Sequence, residues 1–69
     1  MKDNLGKTIK EGDVVELQAT LLGTGRSKIV FHNGELWPDG YQSHDNPLTN
    51  PYWTKKVLGS FYENPELLA

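Results

Sequence analysis

The sequence predicts a mainly β protein: a small, partly open SH3-like β-barrel of four to five antiparallel strands with a short C-terminal helical turn. Three observations predict this fold class. Short runs alternate between apolar and polar residues, which is the period of a half-buried strand. An Asn33-Gly34 pair favours a tight hairpin. No segment has the period of a long amphipathic helix, so a strongly bent sheet is the economical architecture.

The length and composition limit how such a fold is stabilised. The chain has 69 residues, and we interpret residues 1–69 as a single domain. A chain this short buries only about 60% of the surface that it exposes when unfolded. The sequence has no cysteine, which excludes disulfides, thiolate metal sites and cysteine nucleophiles. Self-association into a homo-oligomer therefore stays open as a source of stability.

The charge and hydropathy patterns restrict the partners and the location. The formal net charge of −2 gives no overall attraction to nucleic acid, although a local basic patch is compatible with it. No apolar run approaches the roughly 20 residues that span a bilayer, and no segment has the pattern of a signal peptide. We therefore expect no membrane partner and a cytoplasmic location.

The first part of the chain predicts a turn and then the first strand. Residues 1–7 are polar and are expected to be frayed, with Leu5 packing on the barrel. Glu11-Gly12-Asp13 is typical of a turn, because glycine accepts the backbone conformation of a tight reversal. The strand predicted at residues 14–19 places alternate residues on one apolar face: Val15, Leu17 and Ala19.

The next segments predict a loop and a hairpin. Residues 23–27, Gly-Thr-Gly-Arg-Ser, are expected to form a flexible hairpin loop. The second strand is predicted at residues 28–32. Its partner across Asn33-Gly34 is predicted at residues 35–37, because the Asn-Gly pair suits a type I′ turn.

The last third of the chain predicts a loop, a strand and a helical turn. Residues 41–51 read as a long surface loop, and residues 52–62 as the last strand with a bend or bulge at Gly59. Trp53 and Phe61 are predicted to lie in the core. After this strand, Asn64 suits a helix N-cap and Pro65 the first helical position, so the terminal turn would fold Leu67 or Leu68 over an open end of the barrel.

The two ends of the chain resemble the YopX family of phage and prophage proteins. The opening segment, residues 3–15, is similar to that family's Asp-x-x-Gly-Lys-x-Ile-x-x-Gly-Asp-Ile-Val pattern. Residues 57–68, ending in Tyr-Glu-Asn-Pro-Glu-Leu-Leu, resemble its closing strand and turn. Residues 21–52 show no family signature. The resemblance implies a phage- or prophage-derived, SH3-like protein in the cytoplasm of a bacterial host, and it carries over no catalytic residues.

The candidate chemical motifs do not predict an enzyme, a cofactor or a metal site. The segment 23–28 lacks the spacing and the following helix of a phosphate-binding loop. His32 and His44 are the only side chains whose ordinary pKa lies near neutrality. A catalytic arrangement with Ser27 or Ser43 would need a rigid turn, and a zinc site would need closely spaced ligands, neither of which the sequence contains.

The candidate binding residues are aromatic and basic side chains around the long loop and the strands beside it. They are Trp37, Tyr41, Tyr52, Arg26, Lys28, Lys55 and Lys56. Aromatic side chains offer a large contact area at a low entropic cost, so we favour a non-enzymatic module that binds a host or phage protein. The alternative is a nucleic-acid-binding SH3-like module in which the basic residues contact phosphates.

Overall fold

A computed structural model describes residues 1–41 and 45–68 of the chain. Its elements are β1 (Asp13–Ala19), β2 (Gly23–His32), β3 (Glu35–Pro38), β4 (Thr54–Ser60) and a short 3-10 helix (Pro65–Leu68). The strands form one antiparallel sheet in the order β3-β2-β1-β4. The predicted mainly β fold and C-terminal turn are confirmed. Within the described residues the sheet is open, because β3 and β4 lie at opposite edges.

The core lies on one face of this sheet and is centred on β1. Its buried members come from every part of the chain: Ile9, Val15, Leu17, Ile29, Leu48 and Val57. Leu36 and Trp53 are partly buried and pack against this cluster. The predicted inward face of β1 is confirmed, and Val14 is fully buried as well, on the opposite face of the strand.

The glycine-rich segment after β1 is a strand, so the predicted loop at residues 23–27 is wrong. Within β2, Gly25 pairs with Leu17 and Gly23 pairs with Ala19. The chain reverses at residues 20–22, where the Leu22 N–H donates to the Ala19 carbonyl at 3.1 Å. Gly23 then has a φ of 95°, as is common after a three-residue hairpin loop. Pairing with β1 therefore overrides the low strand preference of glycine.

The predicted hairpin at Asn33-Gly34 is confirmed. Both residues have positive φ, 52° and 80°, as a type I′ turn requires. His32 pairs with Glu35 across the turn, and the ladder continues to Ile29 and Pro38, one position beyond the predicted segment.

The segment after β3 contributes to the core. Outside residues 42–44, which lie outside the described residues, the loop predicted at residues 41–51 has no helix or strand, as expected, but the prediction that it lies on the surface is wrong at residues 46–48. Asn46, Pro47 and Leu48 are buried. The Asn46 Nδ2 donates to the Leu36 carbonyl at 2.6 Å, and its Oδ1 accepts from the Leu48 N–H at 3.0 Å. One amide side chain therefore occupies the outer edge of β3 and shapes the turn that carries Leu48 inward.

The N-terminal residues are held in place, so the predicted fraying of residues 1–7 is wrong. Asp3 is only 8% exposed. Its Oδ1 accepts from the backbone N–H groups of Leu5 and Lys7 at 2.9 and 2.8 Å, and its Oδ2 accepts from the Val57 N–H at 2.9 Å. Leu5 itself is 76% exposed, so its predicted packing on the sheet is also wrong.

Like Asp3, Asn4 bonds to backbone groups along the outer edge of β4. Its N–H donates to the Lys55 carbonyl at 3.0 Å, and its Oδ1 accepts from the Lys55 N–H at 2.6 Å. Together with the bond from Val57 to Asp3, these bonds satisfy backbone groups that an edge strand would otherwise expose.

The hydrogen bonds that the Asp3 carboxylate accepts lower its pKa below the ordinary value of 3.8. The hydrogen bond from Val57 is the largest cause, and burial opposes it. The N–H groups of Lys7 and Leu5 and the charge of Lys7 add to the lowering. The folded state therefore favours the ionised carboxylate.

β4 is shorter than predicted and contains the predicted irregularity. Val15 pairs with Val57 and Val14 with Gly59, so Leu58 is an extra residue at a bulge beside Gly59. Phe61 follows the strand and lies outside the core cluster, which corrects its predicted position. The Lys28 Nζ lies 4.6 Å from the centroid of the Phe61 ring, within the range of a cation–π interaction.

The terminal 3-10 helix begins after Asn64, as predicted, and packs back on the sheet. The Leu67 N–H donates to the Asn64 carbonyl at 3.1 Å. The Leu67 Cδ1 lies 3.0 Å from the position that a Cβ on Gly59 would occupy, so glycine allows this close contact. The Arg26 Nη1 donates to the Leu67 carbonyl at 3.1 Å, which ties the helix to β2.

We expect Gly34→Ala to destabilise the protein by about 1–2 kcal/mol, because an L side chain is strained at the positive φ of this turn. Gly25→Ala is the matched control, since Gly25 lies in a strand without positive φ and a Cβ there meets open space. Urea denaturation measures both. Equal stability of Gly34→Ala and the wild type would contradict the type I′ assignment.

We expect Asp3→Asn to lower the free energy of unfolding at pH 7 by about 1.5–3 kcal/mol, because hydrogen bonds to a charged acceptor are lost. The lowered pKa means that the Asp3 contribution is complete above pH 3.8 and is lost as the pH falls further, through the folded-state pKa. The difference between variant and wild type should therefore shrink in strong acid. Urea denaturation of the variant and the wild type from neutral pH to strong acid measures this difference in unfolding free energy. Glu11→Gln, at an exposed position, is the control. A difference that is the same at every pH would contradict the assignment.

Candidate binding groove

A groove runs beside the first half of β2. β3 pairs with β2 only from Ile29 to His32, so residues 23–27 have β1 on one side and no strand of the described chain on the other. The groove has a volume of about 370 Å³. Its larger side chains are mostly apolar: Leu17, Leu22, Pro38, Tyr41 and Trp53.

Small residues of β2 make this groove possible. A Cβ built on Gly23 or Gly25 meets no atom within 4 Å. Because Gly25 has no side chain, the groove extends down to Leu17, its partner on β1. The sequence of β2 therefore leaves space above the sheet where another strand residue would place a side chain.

The end of β3 forms the opposite wall. The Asp39 N–H donates to the Lys28 carbonyl at 2.8 Å, the last such bond before the groove opens. The Tyr41 N–H then donates to the Pro38 carbonyl at 3.0 Å, which turns the chain. Tyr41 is thereby placed at the rim of the groove, and Trp53, which packs against the core, lines it as well.

The structure brings only two of the candidate binding residues into this groove, Arg26 and Tyr41. The Arg26 guanidinium reaches the carbonyl of Leu67. Trp37 lines a separate depression of about 450 Å³ with Glu35 and contacts His32 edge-on at 6.5 Å between ring centroids. The candidates therefore do not form one continuous surface.

The remaining candidates lie elsewhere. The Lys28 ammonium lies over the Phe61 ring. Tyr52 is 48% exposed, and its N–H donates to the Asn50 Oδ1 at 2.9 Å. These positions are separate from the groove lining.

Lys55 and Lys56 have opposite environments although they are neighbours in β4. Lys55 is only 9% exposed, and its Nζ donates to the carbonyls of Trp53 at 2.7 Å and Asn50 at 3.2 Å. Burial lowers the pKa of this ammonium group. Lys56 is exposed and pairs with Glu16 across the strands.

Sequence reasoning missed most of the groove lining. Leu17 was expected only in the core, and the glycines were expected in a loop. The one signal that indicates the groove is the spacing of Gly23 and Gly25, since alternate residues of a strand lie on the same face. That signal applies only once the segment is known to be a strand.

The described residues contain no arrangement that points to a resident metal. Across residues 1–41 and 45–68, no group of three His, Cys, Asp or Glu side chains is placed to hold one. Ser43 and His44, which entered the catalytic and zinc hypotheses, lie outside the described residues. In the same part of the chain, no helix is long and apolar enough to cross a membrane.

The described residues form a four-stranded antiparallel sheet with an open, mostly apolar groove beside β2. The family model described as YopX protein matches residues 1–69, which includes the middle of the chain where no signature was evident. The chain belongs to the YopX family. No curated protein and no solved structure matches it significantly.

We expect Lys55→Met to destabilise the protein by about 1–3 kcal/mol, because two backbone carbonyls lose their donor. Lys56→Met is the matched control and should change stability by less than about 0.5 kcal/mol, as is usual for an exposed side chain. Thermal and urea denaturation measure both variants. A neutral Lys55→Met would show that the ammonium does not hold the segment before β4.

Proposed function

We propose that this protein is a phage- or prophage-derived accessory protein that binds another protein and catalyses no reaction. We place it in the cytoplasm of a bacterial host, with its sheet forming part of a partly open SH3-like barrel. Membership of the YopX family supports the phage-type origin. The observation that carries the binding role is the apolar groove beside residues 23–27 of β2.

The lining of the groove suits a protein partner. Tyr41 at its rim and Trp53 along it offer aromatic surface, which gives a large contact area with few side-chain torsions to fix. Leu17 and Pro38 add apolar surface. A groove of about 370 Å³ has room for a side chain of a partner. In protein interfaces a few side chains buried in well-packed pockets, most often Trp, Tyr or Arg, carry most of the binding energy.

The placement of the basic residues gives less support to a nucleic-acid partner. Phosphate binding needs several cations along one surface. The Lys55 ammonium is inside the fold, and Glu16 lies between Arg26 and Lys56 in the strand pairing. A protein partner is therefore the function that the geometry favours.

Site-specific photocrosslinking tests this function. Benzoylphenylalanine replaces Tyr41, which is 37% exposed at the groove, or Tyr52, which is 48% exposed away from it. Each variant is irradiated in bacteria that express the gene, and half of each sample is treated with nucleases. We expect position 41, and not position 52, to yield one discrete polypeptide adduct that nucleases leave unchanged.

Three results of this experiment would contradict the proposal. A nuclease-sensitive adduct at position 41 would assign the groove to nucleic acid. Equal adducts at positions 41 and 52 would show contact without a defined site. No adduct at position 41 would remove the groove as the binding surface.

A further inference from the structure

We propose that the partner enters the groove as an extended strand that pairs with β2 at Thr24 and Arg26 and inserts a large apolar side chain above Gly25. This inference rests on the proposed function of the groove and specifies the form of its ligand. The partner would become the neighbour of β2 where β3 is missing, a mode known as β-strand addition.

Within residues 1–41 and 45–68, no strand pairs with the groove side of the first half of β2. The Lys28 carbonyl accepts from the Asp39 N–H, so the backbone groups of Lys28 face the side on which β3 lies. In an antiparallel strand, residues two apart direct their N–H and C=O groups to the same side. The N–H and C=O groups of Arg26 and Thr24 therefore face the groove, beyond the end of the β3 pairing.

In the part of the chain that the structure describes, the outer edges of β4 and β3, unlike the Thr24–Arg26 edge, are covered by polar side chains or end in proline. Asp3 and Asn4 bond to backbone groups of Val57 and Lys55 along β4. On β3, Asn46 bonds to the carbonyl of Leu36, and a proline, which has no N–H, ends the strand. Proteins cover strand edges to prevent unwanted pairing. Within the described residues, the Thr24–Arg26 edge lacks such a cover and lies beside an apolar groove.

The side chains along this edge indicate that the partner is a different protein and not a second copy of this chain. In a symmetric pairing of two β2 edges, the residues directed to the groove face would be Gly23, Gly25 and Ser27 of the other copy. Two of these have no side chain, so they would leave the groove unfilled. A foreign strand with an aromatic or large aliphatic residue fills it, and Asp39 at one end favours a basic residue beside that side chain.

The experiment selects displayed random peptides against the wild-type protein and compares three variants. Thr24→Pro removes the outward N–H, and proline is tolerated on an edge strand. Thr24→Ala keeps the N–H and is its control. Gly25→Leu fills the groove, and a Cβ at this position meets no atom within 4 Å. Thermal denaturation shows whether each variant folds.

We expect the selected peptides to alternate apolar and polar residues. Their affinity should fall at least about tenfold with Thr24→Pro and with Gly25→Leu, and by less than about twofold with Thr24→Ala. In the complex with wild type, amide hydrogen exchange should slow at Thr24 and Arg26. If Thr24→Pro does not fold, the affinity of Gly25→Leu and the hydrogen-exchange measurement show whether the peptide pairs with β2.

The other outcomes overturn strand addition and leave the proposed function to the crosslinking experiment. Peptides that lose affinity for Gly25→Leu but not for Thr24→Pro would occupy the groove without pairing to β2. Peptides that bind all variants equally, or no enriched peptide, would show that the edge takes no strand. A wild-type dimer that Thr24→Pro abolishes would assign the edge to a second copy.

Discussion

The three hydrogen bonds that the Asp3 carboxylate accepts hold the outer edge of the sheet and the N-terminal segment in one arrangement. Two of them close the turn that contains Leu5 and Lys7, and the third reaches Val57 on β4. Hydrogen bonds to a charged acceptor contribute more than neutral ones. The turn then places Ile9, whose N–H donates to the Met1 carbonyl, in the core. In a small domain of marginal stability, one such anchor contributes a large part of the total.

Local sequence patterns predicted the elements whose conformation neighbouring residues determine. The Asn33-Gly34 turn, the alternation of β1 and the start of the terminal helix after Asn64 are of this kind. The role of Asp3 could not be predicted in this way, because its partner Val57 lies 54 positions away. The strand at residues 23–27 likewise depends on pairing with β1, since glycine alone favours a turn.

The candidate site was predicted from residue types near one another in the sequence, and the fold separates most of them. Tyr41 and Arg26 reach the groove because the end of β3 and the first half of β2 border it. Lys55 and Lys56 show why proximity in sequence is insufficient: successive strand residues point to opposite faces. Alternation along a strand predicts that the two lysines differ in burial. Which lysine becomes buried depends on the carbonyls of Asn50 and Trp53, which the sequence does not locate.

One requirement, that backbone polar groups find partners, accounts for both the stability and the proposed binding of this sheet. Along β4 and β3 the partners are Asp3, Asn4 and Asn46, whose short polar side chains lie in turns close to the edge. At Thr24 and Arg26 the described part of the chain supplies no such side chain, and the glycine between them keeps the adjacent face clear. Main-chain pairing there would be tolerant of the partner's sequence, whereas the groove above Leu17 would discriminate by side-chain shape. The division between a sequence-tolerant ladder and a selective groove follows from where the chain places its glycines and its capping side chains.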